Sequence, residues 1–263
     1  MRTPFALRLY RYARVTVHVL AGIATTSLVF PWVVMERRRA LIQRWSRQLL
    51  CMLAVHTEVR GMPEGCVPGN VLLVANHISW LDIFVLNALQ PSRFIAKAEL
   101  RRWPLVGLLI AGCGTLFIDR DRRHHTHRIN GDARAVLAAG DTVAIFPEGT
   151  TTDGTTLLRF HGSLLQPIID ARGRVLPIAI RYEHVEGGLS VAPAYVGELS
   201  FMASFWRVLG ERALVARITV TPLLDATGRK RRELAGAAEA AIRSALASPE
   251  CDSAPDRAVG LRA

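Results

Sequence analysis

Cysteine is scarce and unpatterned: Cys51, Cys66, Cys113 and Cys251 nowhere approach C-x-x-C spacing. A disulfide framework and a zinc site are therefore not expected, and a reducing compartment is the default. No G-x-S-x-G elbow occurs, which removes the common serine-hydrolase arrangement. Gly112-Cys113-Gly114 opens like a dinucleotide fingerprint, but Phe117 takes the place of the third glycine and no strand precedes the segment. His124, His125 and His127 cluster without carboxylates at ligand spacing, so they read as a solvated helix start and no metal is expected. Internal repeats and low-complexity tracts are missing too.

Lysine is nearly absent, with only Lys97 and Lys230, so arginine carries the formal net charge of +11. Residues 1–60 hold ten arginines against Glu36 and Glu58, a net of +8, which leaves +3 for all the rest. That basic segment is also the most apolar. Val15 to Val34 runs 20 residues without a formal charge, long enough to cross a bilayer, though His18 and several threonines dilute it. A secretory signal starts in a similar way, but this stretch is long for one and meets Pro31-Trp32 and Arg37-Arg38-Arg39 without a small-residue cleavage site. Arginines flank both ends, so charge sets no orientation. The expectation is membrane association, by a spanning or a partly inserted helix, with anionic membrane lipid and not nucleic acid as the partner.

A second amphipathic helix is expected over 39–55, with Leu41, Ile42, Trp45, Leu49 and Leu50 near one face, pairing with the first as an apolar hairpin or simply packing on the core. Turn residues at Gly61–Gly65 and Pro68–Asn70 mark where the globular part begins. The expected organisation is thus 1–60 membrane-associating helices, 61–248 a catalytic domain and 249–263 a disordered tail of Pro, Asp, Ser and Arg. Within 61–248 the apolar runs predict strands at 71–75, 93–97, 115–118, 142–146, 175–181 and 214–221. Helices are predicted at 81–89, 104–111, 126–139, 200–208 and 230–247. This alternation argues for an α/β fold: a mixed, mostly parallel central sheet flanked by helices. Residues 103–112 form a run too short to span a membrane, which reads as a core helix or as one wall of a lipid-accepting groove.

The most informative stretch is Asn76-His77-Ile78-Ser79-Trp80-Leu81-Asp82. It follows the apolar run Val71–Ala75, so His77 is placed at the carboxyl end of a strand, where open α/β sheets bind ligands. Asp82, about a turn into the next helix, is positioned to orient one imidazole nitrogen and leave the other as a base. Asn76 reads as a loop cap or as an orienter of His77, and Ser79 as a helix cap. Two further blocks end apolar strands on polar groups: Gly114-Thr115-Leu116-Phe117-Ile118-Asp119-Arg120 and Phe146-Pro147-Glu148-Gly149-Thr150. A third apolar strand, Val175-Leu176-Pro177-Ile178, carries a proline.

H-x-x-x-x-D, G-x-x-F-I-D-R, F-P-E-G-T and an L-P-I strand, in this order, resemble the glycerolipid acyltransferase family over about residues 70–182. Its bacterial 1-acyl-sn-glycerol-3-phosphate acyltransferases are nearest in size. The resemblance implies transfer of an acyl chain from acyl-CoA or acyl carrier protein to a lysolipid hydroxyl, with no cofactor and no acyl-enzyme. It implies that His77 takes the hydroxyl proton and Asp82 orients the imidazole. Arg120, Glu148, Gly149, Thr150 and Asn76 are the implied substrate-binding residues. Backbone N–H groups at Gly149-Thr150 would hold either acceptor oxygens or the oxyanion.

One departure bears on the acceptor. Phosphatidate-forming members commonly have arginine after F-P-E-G-T and a basic residue in the segment downstream, where this chain has Thr151 and Arg159-Phe160-His161. The expectation is a 1-acyl-glycerol-3-phosphate acceptor, with lyso-ornithine lipid as the alternative. A non-catalytic lipid-binding protein is the alternative of another class. The expected location is the cell inner membrane, with the catalytic domain facing the cytoplasm.

Overall fold

Val71–Ala75 has five consecutive residues without solvent exposure, the mark of a strand covered on both faces. In a computed structural model, which describes residues 3–61, 69–103, 106–118 and 123–248, this segment is the second strand of a single eight-stranded sheet. The strands are β1 (Val55–Arg60), β2 (Val71–Ala75), β3 (Arg93–Lys97), β4 (Leu116–Ile118), β5 (Thr142–Ile145), β6 (Arg174–His184), β7 (Leu214–Val220) and β8 (Leu224–Asp225). Their order is β1-β7-β6-β2-β5-β3-β4, and β8 pairs with β6. Pairing is parallel except where β6 meets β7 and β8. The sheet is mixed and mostly parallel, as the alternation of apolar runs predicted.

Alternate strand residues face two helical layers. Leu73, Ala144, Ile178 and Ile180 join one core with α2 (Met35–Met52), α3 (Leu81–Leu89) and α7 (Phe201–Leu209). Leu72, Val143, Ile145 and Val175 join the other with α5 (Arg123–Ala138), α6 (Gln166–Asp170) and α8 (Arg231–Ala247). β2, β3 and α3 have the predicted limits, and the other predicted elements differ by a few residues at their ends. β1, α6 and β8 were not predicted. Residues 55–60, assigned from sequence to the N-terminal segment, are β1 and pair with β7. The run Val-His-Thr-Glu-Val-Arg hides its strand character because it lies at the sheet edge, where most of its side chains are only partly covered.

The first helix, α1 (Phe5–Ala24), starts ten residues before its predicted position and continues through a π segment (Thr25–Val29) and a 3-10 turn (Phe30–Trp32). Its arginines do not end it, because the chain body receives them. Arg11 donates to the carbonyls of Glu211 (2.8 Å) and Arg212 (3.1 Å), and the Thr3 N–H donates to the Gly210 carbonyl (3.0 Å). Mid-helix, the His18 ring stacks on Trp45 of α2 with centroids 4.6 Å apart, and the Trp45 indole donates to the His18 carbonyl (3.1 Å). Far along the same stretch, Thr26 meets α4 (Val106–Gly112) at Gly112. The two helices form the expected hairpin, and α1 lies along the body for its whole length. The tail at 249–263 lies outside the described residues.

A Cβ at Gly112 would stand 2.5 Å from the Cβ of Thr26, an atom that no rotamer change can move. Gly112→Ala is expected to push α1 away from α4 and cost about 1–3 kcal/mol, read as a lower thermal midpoint of the detergent-solubilised protein.

Candidate active site

β2 delivers the chain to Asn76, which is 3% exposed and lies one residue past the last β2–β6 pair, Ala75 with Ile178. Its Nδ2 donates to the Ile180 carbonyl (2.9 Å) and its Oδ1 accepts from the Ile180 N–H (2.7 Å). Both ends of the carboxamide hold the Ile180 peptide. Asn76 fixes where the loop leaves the sheet.

His77 follows, and α3 begins four residues later. The Ser79 hydroxyl accepts from the Leu81 N–H (3.2 Å), close to the expected capping role. Asp82 lies in the first turn of α3 with no solvent exposure. Its Oδ2 accepts from the N–H groups of Ile78 (2.8 Å) and Ser79 (2.9 Å) and stands 2.8 Å from His77 Nδ1. The other oxygen, Oδ1, accepts from the Tyr182 hydroxyl at 2.8 Å. With Oδ2 already serving two N–H donors, the hydrogen toward it is assigned to Nδ1, which leaves the lone pair on Nε2. Among the described residues nothing hydrogen-bonds Nε2, and the His77 side chain is 20% exposed. The imidazole lies flat on Phe146 with centroids 3.9 Å apart, and Phe146 stacks on Phe94 at 6.0 Å.

The segment after β5 holds the His77 peptide. Glu148 Oε1 accepts from the His77 N–H (2.7 Å) and Oε2 from the Leu158 N–H (2.9 Å). The Thr152 N–H donates to the His77 carbonyl (2.8 Å). Gly149 makes this turn with φ of 79°, a left-handed conformation that favours glycine. Burial raises the Glu148 carboxyl above its ordinary value, and the two N–H donors partly offset this. Glu148 is 3% exposed, and its two oxygens hold the backbone N–H groups of His77 and Leu158. The Gly149 N–H turns back to the Phe146 carbonyl (3.2 Å). Thr150 is exposed, and among the described residues its N–H has no acceptor. Arg120 lies outside the described residues.

Tyr182 was missed from sequence, because it reads as one more apolar residue on the inward face after Ile178 and Ile180. Its hydroxyl is the only sign that this face ends on a polar group. Phe94 has a second role. It lines a cavity of about 260 Å³ between α1, α2, α3 and α4, together with Trp45, Phe84, Leu109 and Ile110. Residues 109 and 110 fall in the stretch read as one wall of a groove. His77 and Phe146 do not line it, so the stacked rings of Phe94 and Phe146 stand between the cavity and His77.

Residues 56–181 match a family model described as Acyltransferase, an interval that holds His77, Asp82 and Glu148. The 1-acyl-sn-glycerol-3-phosphate acyltransferase of Neisseria meningitidis is 37% identical over 213 residues, covering 81% of this chain and 82% of the relative. The chain belongs to the acyltransferase family. The lyso-ornithine lipid O-acyltransferase of Pseudomonas aeruginosa is 39% identical over 217 residues, covering 79% of each chain. The crystal structure of the LPA acyltransferase PlsC from Thermotoga maritima aligns with a TM-score of 0.70 over 95% of this chain and 97% of that one, at 21% identity. The acyltransferase fold is shared over nearly the full length, and this protein is an acyltransferase enzyme.

Tyr182 is joined to His77 through Asp82. Tyr182→Phe removes one charge-assisted donor from a buried carboxylate, and kcat is expected to fall about tenfold with KM unchanged. An unchanged kcat would mean that Tyr182 only fills space.

Proposed function

We propose that this acyltransferase moves a fatty acyl chain directly from a thioester, acyl-CoA or acyl carrier protein, to the free hydroxyl of a lysolipid. The observation that carries this reading is the open Nε2 of His77, backed by a buried carboxylate, with an apolar cavity on the far side of Phe94 and Phe146. Nε2 takes the acceptor proton as the hydroxyl oxygen attacks the thioester carbonyl. Asp82 and the Phe146 face stabilise the imidazolium. The tetrahedral oxyanion collapses, the carbon–sulfur bond breaks, and the leaving thiolate takes the proton back from His77. The exposed Thr150 N–H fits the role of an oxyanion donor.

Two candidate nucleophiles fit an acyl-enzyme poorly. The Ser79 hydroxyl is occupied with the Leu81 N–H, and burial pushes the Cys113 thiol up to about 12, so it is not a thiolate near neutral pH. The cavity suits the acyl chain, since its walls are mainly apolar and Phe94 links them to the base.

The first acceptor reading is 1-acyl-glycerol-3-phosphate, giving phosphatidate, in line with the Neisseria relative. Lyso-ornithine lipid is the second, and one local observation favours it. Thr151 donates its hydroxyl to the Tyr195 carbonyl, so the position after Gly149-Thr150 offers no cation. Two residues on, the Asp153 carboxyl is held below its ordinary value by the Thr155 hydroxyl and N–H, and presents a negative charge. A headgroup bearing an amine suits that edge better than a phosphate alone.

For the membrane, α1 turns Leu9 (53% exposed), Val17 (67%) and Leu20 (48%) outward while its opposite face packs on the body. Contacts at its start, middle and end support a helix lying in one leaflet and not spanning. The proposed location is the inner membrane, with the catalytic body toward the cytoplasm.

Vesicles carrying the protein, given labelled acyl-CoA or acyl carrier protein and a panel of lysophosphatidate, other lysophospholipids and lyso-ornithine lipid, should form one diacyl product. His77→Ala should lower that transfer by about 10²–10⁴ without releasing the protein from the vesicles. Thioester consumption equal to a no-protein control across the panel would leave a lipid-binding protein. Unchanged transfer by the alanine variant would remove His77 as the base.

A further inference from the structure

A basic recess opens at the edge of the sheet opposite His77. Arg93 is the first residue of β3 and Asp141 immediately precedes β5, so both stand at strand amino ends, whereas His77 and Glu148 follow carboxyl ends. β5 alone separates the two edges by about 13 Å. The recess, of about 70 Å³, is lined by Arg38, Arg39, Arg93 and Asp141, with Phe30 and Met35 on its rim.

The charges in it do not balance. Asp141 Oδ1 meets Arg39 Nη2 at 2.8 Å and Oδ2 meets Arg93 Nε at 2.8 Å, and Oδ1 also accepts from the Thr142 N–H (2.9 Å). One acid, nine-tenths buried, is thus saturated by two guanidinium groups. Arg38 spends its Nε on the Val33 carbonyl (3.1 Å), and no acid among the described residues pairs with it. Three positive groups and one negative one face the same small space, an excess of two. Each guanidinium has five donors in a planar fork, and most remain free for a tetrahedral oxyanion.

The surroundings indicate where the anion comes from. Leu28 (70% exposed), Trp32 (87%) and Val34 (69%) crowd the turn between α1 and α2, and Met35 (37%) is shared with the recess. An apolar tip with arginines just behind it is built to sit at headgroup depth in a bilayer. The recess is too far from His77 to hold the phosphate of an acceptor whose hydroxyl is reacting there.

We propose that Arg38, Arg39 and Arg93 bind the phosphate of an anionic phospholipid headgroup from the host bilayer, at a site separate from the catalytic one. The bound lipid would hold the α1–α2 tip in the leaflet and set the depth of the body beneath it. This rests on the membrane reading above but not on the reaction.

The test is flotation of the full chain with vesicles of phosphatidylcholine alone or mixed with phosphatidylglycerol. The wild type should partition more strongly onto the mixed vesicles. Arg37, exposed and outside the recess, provides the control: Arg37→Gln should cost about fivefold, the generic effect of one surface arginine. Arg38→Gln should lose that and about a further tenfold from the missing charged hydrogen bonds, with unchanged partition onto neutral vesicles showing that it is folded. Arg38→Lys keeps the charge without the fork and should recover only the generic part.

Equal losses for Arg37→Gln and Arg38→Gln would overturn the site. Stabilisation of the wild type by inorganic phosphate over chloride at equal ionic strength, together with equal losses, would reassign the recess to free phosphate. A wild type that transfers acyl chains but floats equally with both vesicle types would overturn the headgroup site and leave the acyltransferase reading intact. One that prefers anionic vesicles through Arg38, yet transfers nothing, would keep the site and remove that reading.

Discussion

The Asp82 carboxylate is taken wholly out of water, and a buried charge is tolerated only where hydrogen bonds replace its hydration. Four donors meet it: two backbone N–H groups of the loop, the imidazole and the Tyr182 hydroxyl. Each comes from a different structural commitment. The N–H groups of Ile78 and Ser79 converge only if the loop turns tightly into α3. Tyr182 arrives only if β6 runs beside β2 in register. His77 completes the set. Loop, helix and sheet are thus tied through one side chain, and the His77 imidazole is oriented as a consequence.

A second constraint acts on the His77 peptide. Its N–H is held by Glu148 and its carbonyl by Thr152, so the turn after β5 grips the residue from the other side of the sheet rim. Adjacent parallel strands make this possible, because β2 and β5 end at the same level. Gly149 supplies the left-handed turn, and Phe146 supplies a flat surface that limits rotation of the ring. Side chain and main chain are fixed by separate sets of bonds, which leaves Nε2 as the one polar atom of the histidine without a partner among the described residues.

Much of this was legible in the sequence, for physical reasons that differ by element. β2 and β3 showed as apolar runs because a central parallel strand needs two buried faces. The pair His77 and Asp82 showed because five residues bridge a strand end and the first turn of a helix. The edge strand β1 did not show, since His56, Thr57 and Glu58 dilute the run, and α1 was placed late because its arginines find carbonyl partners only in the folded body. Roles were harder than positions. Asn76 and Glu148 stand in the expected blocks, yet their partners are backbone groups of Ile180, His77 and Leu158, far away in sequence. No local pattern distinguishes a polar side chain that binds substrate from one that clips a loop.

The central claim is that the acceptor oxygen attacks the thioester itself, with His77 as base and no covalent enzyme intermediate. Rapid mixing of the protein with labelled acyl thioester in the absence of any acceptor tests it most directly. The account predicts no burst of free thiol and no label retained on the denatured chain, with thiol release beginning only when lysolipid is added. A stoichiometric burst with label bound to the protein would contradict it.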